Sequence, residues 1–117
     1  MRYMILLQGT NPPTPPPAEL MEAIMKLGEE ATKAGALLDT AGLMPSAMGA
    51  TVNLYDGKVS VTDGPFTEAK EFISYALYEV HGKEEAIEWT SRFIKLHRDL
   101  WEGWEGEAHV RQVFGGQ

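Results

Sequence analysis

The 117-residue chain has no cysteine, which excludes disulfides, thiolate catalysis and cysteine-ligated zinc. Basic residues are scarce: 10 Lys plus Arg stand against 17 Asp plus Glu, a formal net charge of −7. That balance argues against nucleic acid or an anionic membrane as partner, because both select clustered cations. Long apolar runs are missing as well. The longest near the start, Met4–Leu7, is too short for the core of a signal peptide or for a membrane span, so the expected compartment is the cytosol. The chain has no HExxH motif, no histidine pair at metal-ligand spacing on one helix and no glycine-rich loop between strand and helix. Neither a metal nor a nucleotide cofactor is therefore expected.

What is present reads as one small globular domain, with 44% apolar and 23% charged residues. Arg2–Gln8 is a strand whose unbroken apolar run, Tyr3–Leu7, suits a central position buried on both faces. The proline-rich stretch Asn11–Pro17 reads as a stiff loop feeding a helix, with the last proline at the helix start. Leu20, Ile24, Leu27, Ala31 and Ala34 recur at steps of three and four, predicting a helix over Pro17–Ala34 with Gly35 as its left-handed cap. Ala36–Met44 is a weak strand running into a loop. Thr51–Tyr55 and Lys58–Thr62 flank Asp56-Gly57, a favoured two-residue hairpin turn.

Phe72–Val80 is the strongest strand signal and is also apolar on both faces. Lys83 to about Leu100 is a second helix with the stripe Ala86, Trp89, Phe93, Leu96 and Leu100, and Glu107–Phe114 is a last strand. Without the hairpin this order is βαββαβ, the ferredoxin-like α+β arrangement with both helices on one face of an antiparallel sheet. Two strands greasy on both faces then pose a problem. Each apolar side chain left in water on the uncovered face forfeits roughly 1.5–3 kcal/mol. The economical cover is a second copy, so a face-to-face homodimer is predicted, the two sheets closing a dimeric α/β barrel.

Val61–Tyr78 contains Asp63-Gly64-Pro65-Phe66, then Lys70-Glu71, then the apolar strand. This pattern, with the opening strand Arg2–Leu7 and the ending His109–Phe114, resembles the DGPF group of the YCII-related domain proteins over nearly the whole chain. The resemblance implies a dimeric α+β barrel of ferredoxin-like subunits. The wider YCII group is discussed as possible enzymes built around a histidine in the first helix paired with an acid. Here Pro17–Ala34 has no histidine; the three in the chain are His81, His97 and His109. That assignment does not transfer.

Six residues are candidates for chemistry. Asp63, at a strand end beside a Gly-Pro turn, is the candidate acid/base; it either faces a cleft or fixes the turn by bonding backbone N–H groups. Tyr75 and Tyr78 fall on opposite faces of their strand, one under the helices and one toward the dimer cavity, where a phenol can donate a hydrogen bond. Lys70 and Glu71 either pair with each other or orient an anionic ligand, and His109 belongs to one sheet face from which it can reach a cavity. His97 reads as an edge packing residue and His81 as exposed, and Trp101 and Trp104 as caps on the core or grips on the other subunit. Two functions follow. One is a homodimeric, cofactor-free site for a small polar organic molecule, enzymatic or sensory. The other is a non-catalytic interaction module in which the Asp63–Phe66 turn is structural.

Overall fold

A computed structural model describes residues 1–65 and 70–115. Among these residues, six strands and two helices follow one another as β1 (Arg2–Thr10), α1 (Ala18–Lys33), β2 (Leu37–Gly42), β3 (Ala50–Tyr55), β4 (Lys58–Asp63), β5 (Glu71–Glu79), α2 (Lys83–Leu100) and β6 (Glu105–Gln112), with a 3₁₀ turn at Ser46–Met48. The antiparallel main sheet has the order β2-β5-β1-β6, so the two strands with unbroken apolar runs, β1 and β5, are the central ones. With β3–β4 set aside, this is the ferredoxin-like strand order. Among the described residues the sheet is open and closes no barrel on its own.

The alternation of β1 shows how the two faces differ. Tyr3, Ile5 and Leu7 are buried, and the first two pack with Ala31, Ala36, Tyr78, Val80 and Ala86 beneath the helices. Met4, Leu6 and Gln8 point to the other face and are only half-buried. Register carries the same division across the sheet: Leu6 lies between Tyr75 and His109, and Met4 between Leu77 and Arg111.

Helix α1 begins one residue later than predicted, because Pro17 is its extended N-cap, and Gly35 takes the left-handed conformation at φ 77°. Its buried line is Leu20, Leu27 and Ala31; Ala34, assigned to the stripe from spacing, is exposed. In α2 the line is rotated from the expected one. Ala86, Thr90 and His97 are buried, while Trp89, Phe93, Leu96 and Leu100 are half-buried on its flanks. Two polar residues bury cheaply here because each bonds the carbonyl one turn back. Thr90 Oγ1 donates to Ala86 O at 2.7 Å, and His97 Nδ1 to Phe93 O at 3.0 Å. The expected edge histidine is thus a core residue.

The last strand starts two residues earlier than predicted, and Trp104 ahead of it lies across Gly9 and Gly106. Both indoles fasten the proline-rich loop: Trp101 Nε1 donates to Thr14 Oγ1 at 3.3 Å and Trp104 Nε1 to Asn11 Oδ1 at 2.9 Å. Their role in one chain is therefore to cap the core and hold this loop. The hairpin β3–β4 turns through Asp56 (φ 53°) and Gly57 (φ 75°), the pair of positive angles of a type I′ turn, and forms a separate two-stranded sheet.

Candidate functional site

The six candidate residues are divided among three places. Tyr78 projects under the helices, buried, its ring stacked at 6.4 Å on Trp89, and burial pushes its phenol above the ordinary tyrosine range. It borders a cavity of about 80 Å³ between sheet and helices, lined also by Ile24, Leu27, Gly28, Ser74 and Phe93. Tyr75 takes the opposite face. Of the two tyrosines, Tyr75 is the one on the face that carries Leu6.

A second group sits at the foot of the hairpin. Glu71 accepts from the Ser46 backbone N–H and from Ser46 Oγ, both at 2.6 Å, and these bonds hold its carboxyl below the ordinary range. It thereby anchors the start of the 3₁₀ turn. Gly64 is jammed against the same turn: a Cβ there would lie 1.8 Å from Ser46 O. The Gly64–Pro65 peptide is cis, and Gly64 N–H donates to Gly49 O at 3.1 Å. Asp63 pairs with Ala50 at the end of β4 and is exposed. Among the described residues no backbone amide seals it, and it lines neither the cavity under the helices nor the groove between hairpin and sheet. Phe66 of the Asp-Gly-Pro-Phe motif, with the three residues after it, lies outside the described residues.

The third group occupies the face of the main sheet that the helices leave open. Tyr75 Oη donates to Asp39 Oδ2 at 2.8 Å, a bond that raises the phenol's pKa and keeps it protonated. Two strands away, about 9–10 Å at the usual strand spacing, His109 Nε2 lies 2.9 Å from Gln8 Oε1 and 3.1 Å from Glu107 Oε2. Both neighbours of Nε2 are oxygens that accept, which assigns the ring hydrogen to Nε2 and leaves the lone pair of the neutral ring on Nδ1. Lys70 does not pair with Glu71; its ammonium meets Glu107, whose carboxyl is held low by that contact. The floor between these groups is Leu6, with Met4 and Leu77 beside it.

The structure therefore brings Lys70, Tyr75 and His109 to one face and separates Asp63, Glu71 and Tyr78 from it. Sequence reasoning missed Asp39, Gln8 and Glu107. Gln8 and Glu107 had a signal, since each lies two residues from Leu6 or His109 on an alternating strand. Asp39 had none, because a one-residue irregularity between Leu37 and Asp39 sets its register on β5. Among the described residues no three His, Asp or Glu side chains are grouped closely enough to hold a metal.

The family model described as YCII-related domain matches residues 1–102, from β1 through the end of α2. The chain belongs to the YCII-related domain family. No curated protein matches it. The YCII match takes in Asp63, Lys70, Glu71, Tyr75 and Tyr78, while β6 with Glu107 and His109 lies beyond it. The open-face cluster of this YCII-related chain thus joins one strand outside the matched span to three within it. Among the described residues no helix is long and apolar enough to cross a membrane.

Proposed function

We propose that this YCII-related chain, of the DGPF group, is a cytosolic homodimer that binds a small polar organic molecule and moves a proton on it, in the chamber formed when two open sheet faces meet. The observation that carries this reading is the open face itself: an apolar floor at Leu6, with a neutral phenol on one side and an imidazole on the other. His109 Nδ1 is the acceptor for the ligand's proton, with Nε2–H steadied by Gln8 and Glu107. Tyr75, kept protonated through Asp39, orients the ligand through its phenol oxygen. Lys70 sets the charge balance of the Glu107 carboxylate rather than binding the ligand directly. Tyr78 and Glu71 support the frame, and Asp63, exposed at the end of β4, stands apart from these groups.

Covering the face with a second copy removes Leu6, Met4 and Leu77 from water and lowers the dielectric around the polar groups, which strengthens their bonds. The test is binding of a panel of small carboxylates and lactones followed by calorimetry. Tyr75→Phe and His109→Ala are each expected to weaken binding at least tenfold with the dimer retained. Binding unchanged in both, or a chain that sediments as a monomer at micromolar concentration, overturns the reading.

A non-catalytic interaction module is the second reading, and two observations favour it. Gly64 against Ser46, and Glu71 clasping the same residue, give the Asp63–Pro65 turn an architectural role.

A further inference from the structure

The register of the hairpin sorts its side chains cleanly. Val52 opposes Val61 and Leu54 opposes Val59 on one face, while Thr51–Thr62, Asn53–Ser60 and Tyr55–Lys58 occupy the other. The four aliphatic side chains are 65–71% exposed, and the turn that sets this register is well formed. A two-stranded ribbon is at best marginally stable in water without something against its apolar face.

We propose that the β3–β4 hairpin is an arm that lays this apolar face on a second copy of the chain; the inference rests on the homodimer proposed above. Three observations single out that occupant. First, the chain exposes 8252 Å² where a folded monomer of 12.9 kDa exposes about 6,300 Å². The excess, about 1,900 Å², matches the share of one subunit in an obligate homodimer and is over twice the roughly 800 Å² of a standard interface. The Cα radius of gyration, 15.9 Å against about 13.4 Å for a compact chain of this length, agrees. Second, the exposed apolar surface is concentrated in the segment that carries the hairpin. Nine of the fifteen exposed large apolar side chains among the described residues lie from Leu43 to Phe72, and Met44, Met48 and Phe72 line the groove between hairpin and sheet. Third, the four central side chains carry no charge, so a charged partner finds no counter-charge there, whereas a like apolar surface fits.

Asp63 and Ala50 stand at the foot of this same face. Docking of the arm therefore moves the motif's acid from open solvent to the edge of a seam between subunits, a setting the single chain does not provide.

The test is sedimentation equilibrium of the full chain from nanomolar to high micromolar concentration. The paired change Val52→Lys with Val61→Glu keeps an attractive cross-strand pair, as does Thr51→Lys with Thr62→Glu on the polar face. The first is expected to weaken dimerisation at least about 100-fold, and the second to leave it unchanged. A dimer unaffected by the first overturns the arm; if Leu6→Lys still abolishes that dimer, the sheet-face reading stands without it. Loss with the first and not with Leu6→Lys supports the arm and removes the sheet-face interface. A wild-type chain that stays monomeric overturns both. Because the chain has no cysteine, folding is controlled in an otherwise unaltered background: the thiol of Leu54→Cys is expected to react at least tenfold more slowly than that of Asn53→Cys once dimers form, and equal rates overturn the arm.

Discussion

His97 is a polar ring in an apolar place, buried between the Phe93 ring at 4.8 Å and the Trp104 ring at 4.5 Å. Burial lowers its pKa from the ordinary value of 6.5, only partly offset by the bond to Phe93 O. The folded chain therefore holds a neutral ring where the unfolded chain takes up a proton. The stability contributed by keeping it neutral is complete above pH 6.5 and declines as pH falls from there toward the lowered folded value. Urea unfolding midpoints measured between pH 7.5 and 5 are expected to fall with acidification, and His97→Phe is expected to flatten that slope; equal slopes refute the assignment. The carboxylates act lower on the scale. Glu71, bonded to Ser46, loses its contribution only as pH drops below about 4.5 and through its own depressed pKa, so the two windows separate.

Among the elements, the hairpin's attachment is the least forgiving. Gly64 meets backbone rather than side chain at Ser46, so a methyl group cannot be accommodated by a rotamer change. Gly64→Ala is expected to cost about 1–3 kcal/mol in chemical denaturation, the range for overpacking, and to free the Ser46–Met48 turn, visible as faster amide exchange there. By contrast the helices are joined to each other at their surface: Arg92 makes a two-pronged bond to Glu30 at 2.7 and 2.8 Å and lies 5.0 Å over the Trp89 ring. Beneath them the close approach to the sheet is made by Ala31 and Ala86, both fully buried. Small residues at that contact explain why the larger Trp89, Phe93 and Leu96 were displaced to the flanks of α2.

For the whole molecule, the homodimer proposed above couples the folded state to association. The thermal midpoint is expected to rise with chain concentration, by several degrees over a hundredfold range, because only the dimer is stabilised by mass action. Scanning calorimetry at two concentrations checks this; identical midpoints argue for a monomer. The net charge of −7 opposes association at low ionic strength, so added salt is expected to raise the midpoint in the same experiment.

Local chemistry by itself determined the succession of strands and helices, because each signal there depends on near neighbours. Unbroken apolar runs placed β1 and β5 in the centre, Asp56-Gly57 set the hairpin's turn, and Gly35 closed α1. Period-two alternation also put Tyr75 and Tyr78 on opposite faces without saying which was which. Tertiary structure decided what depends on distant contacts. It buried Tyr78 and left Tyr75 open, brought β6 beside β1 so that His109 faces Tyr75 across Leu6, and parted Lys70 from Glu71 by giving each a partner from another strand or turn. It also turned His97 inward, since a helix's spacing gives the angle between its residues but only the packing partner selects the side that is covered.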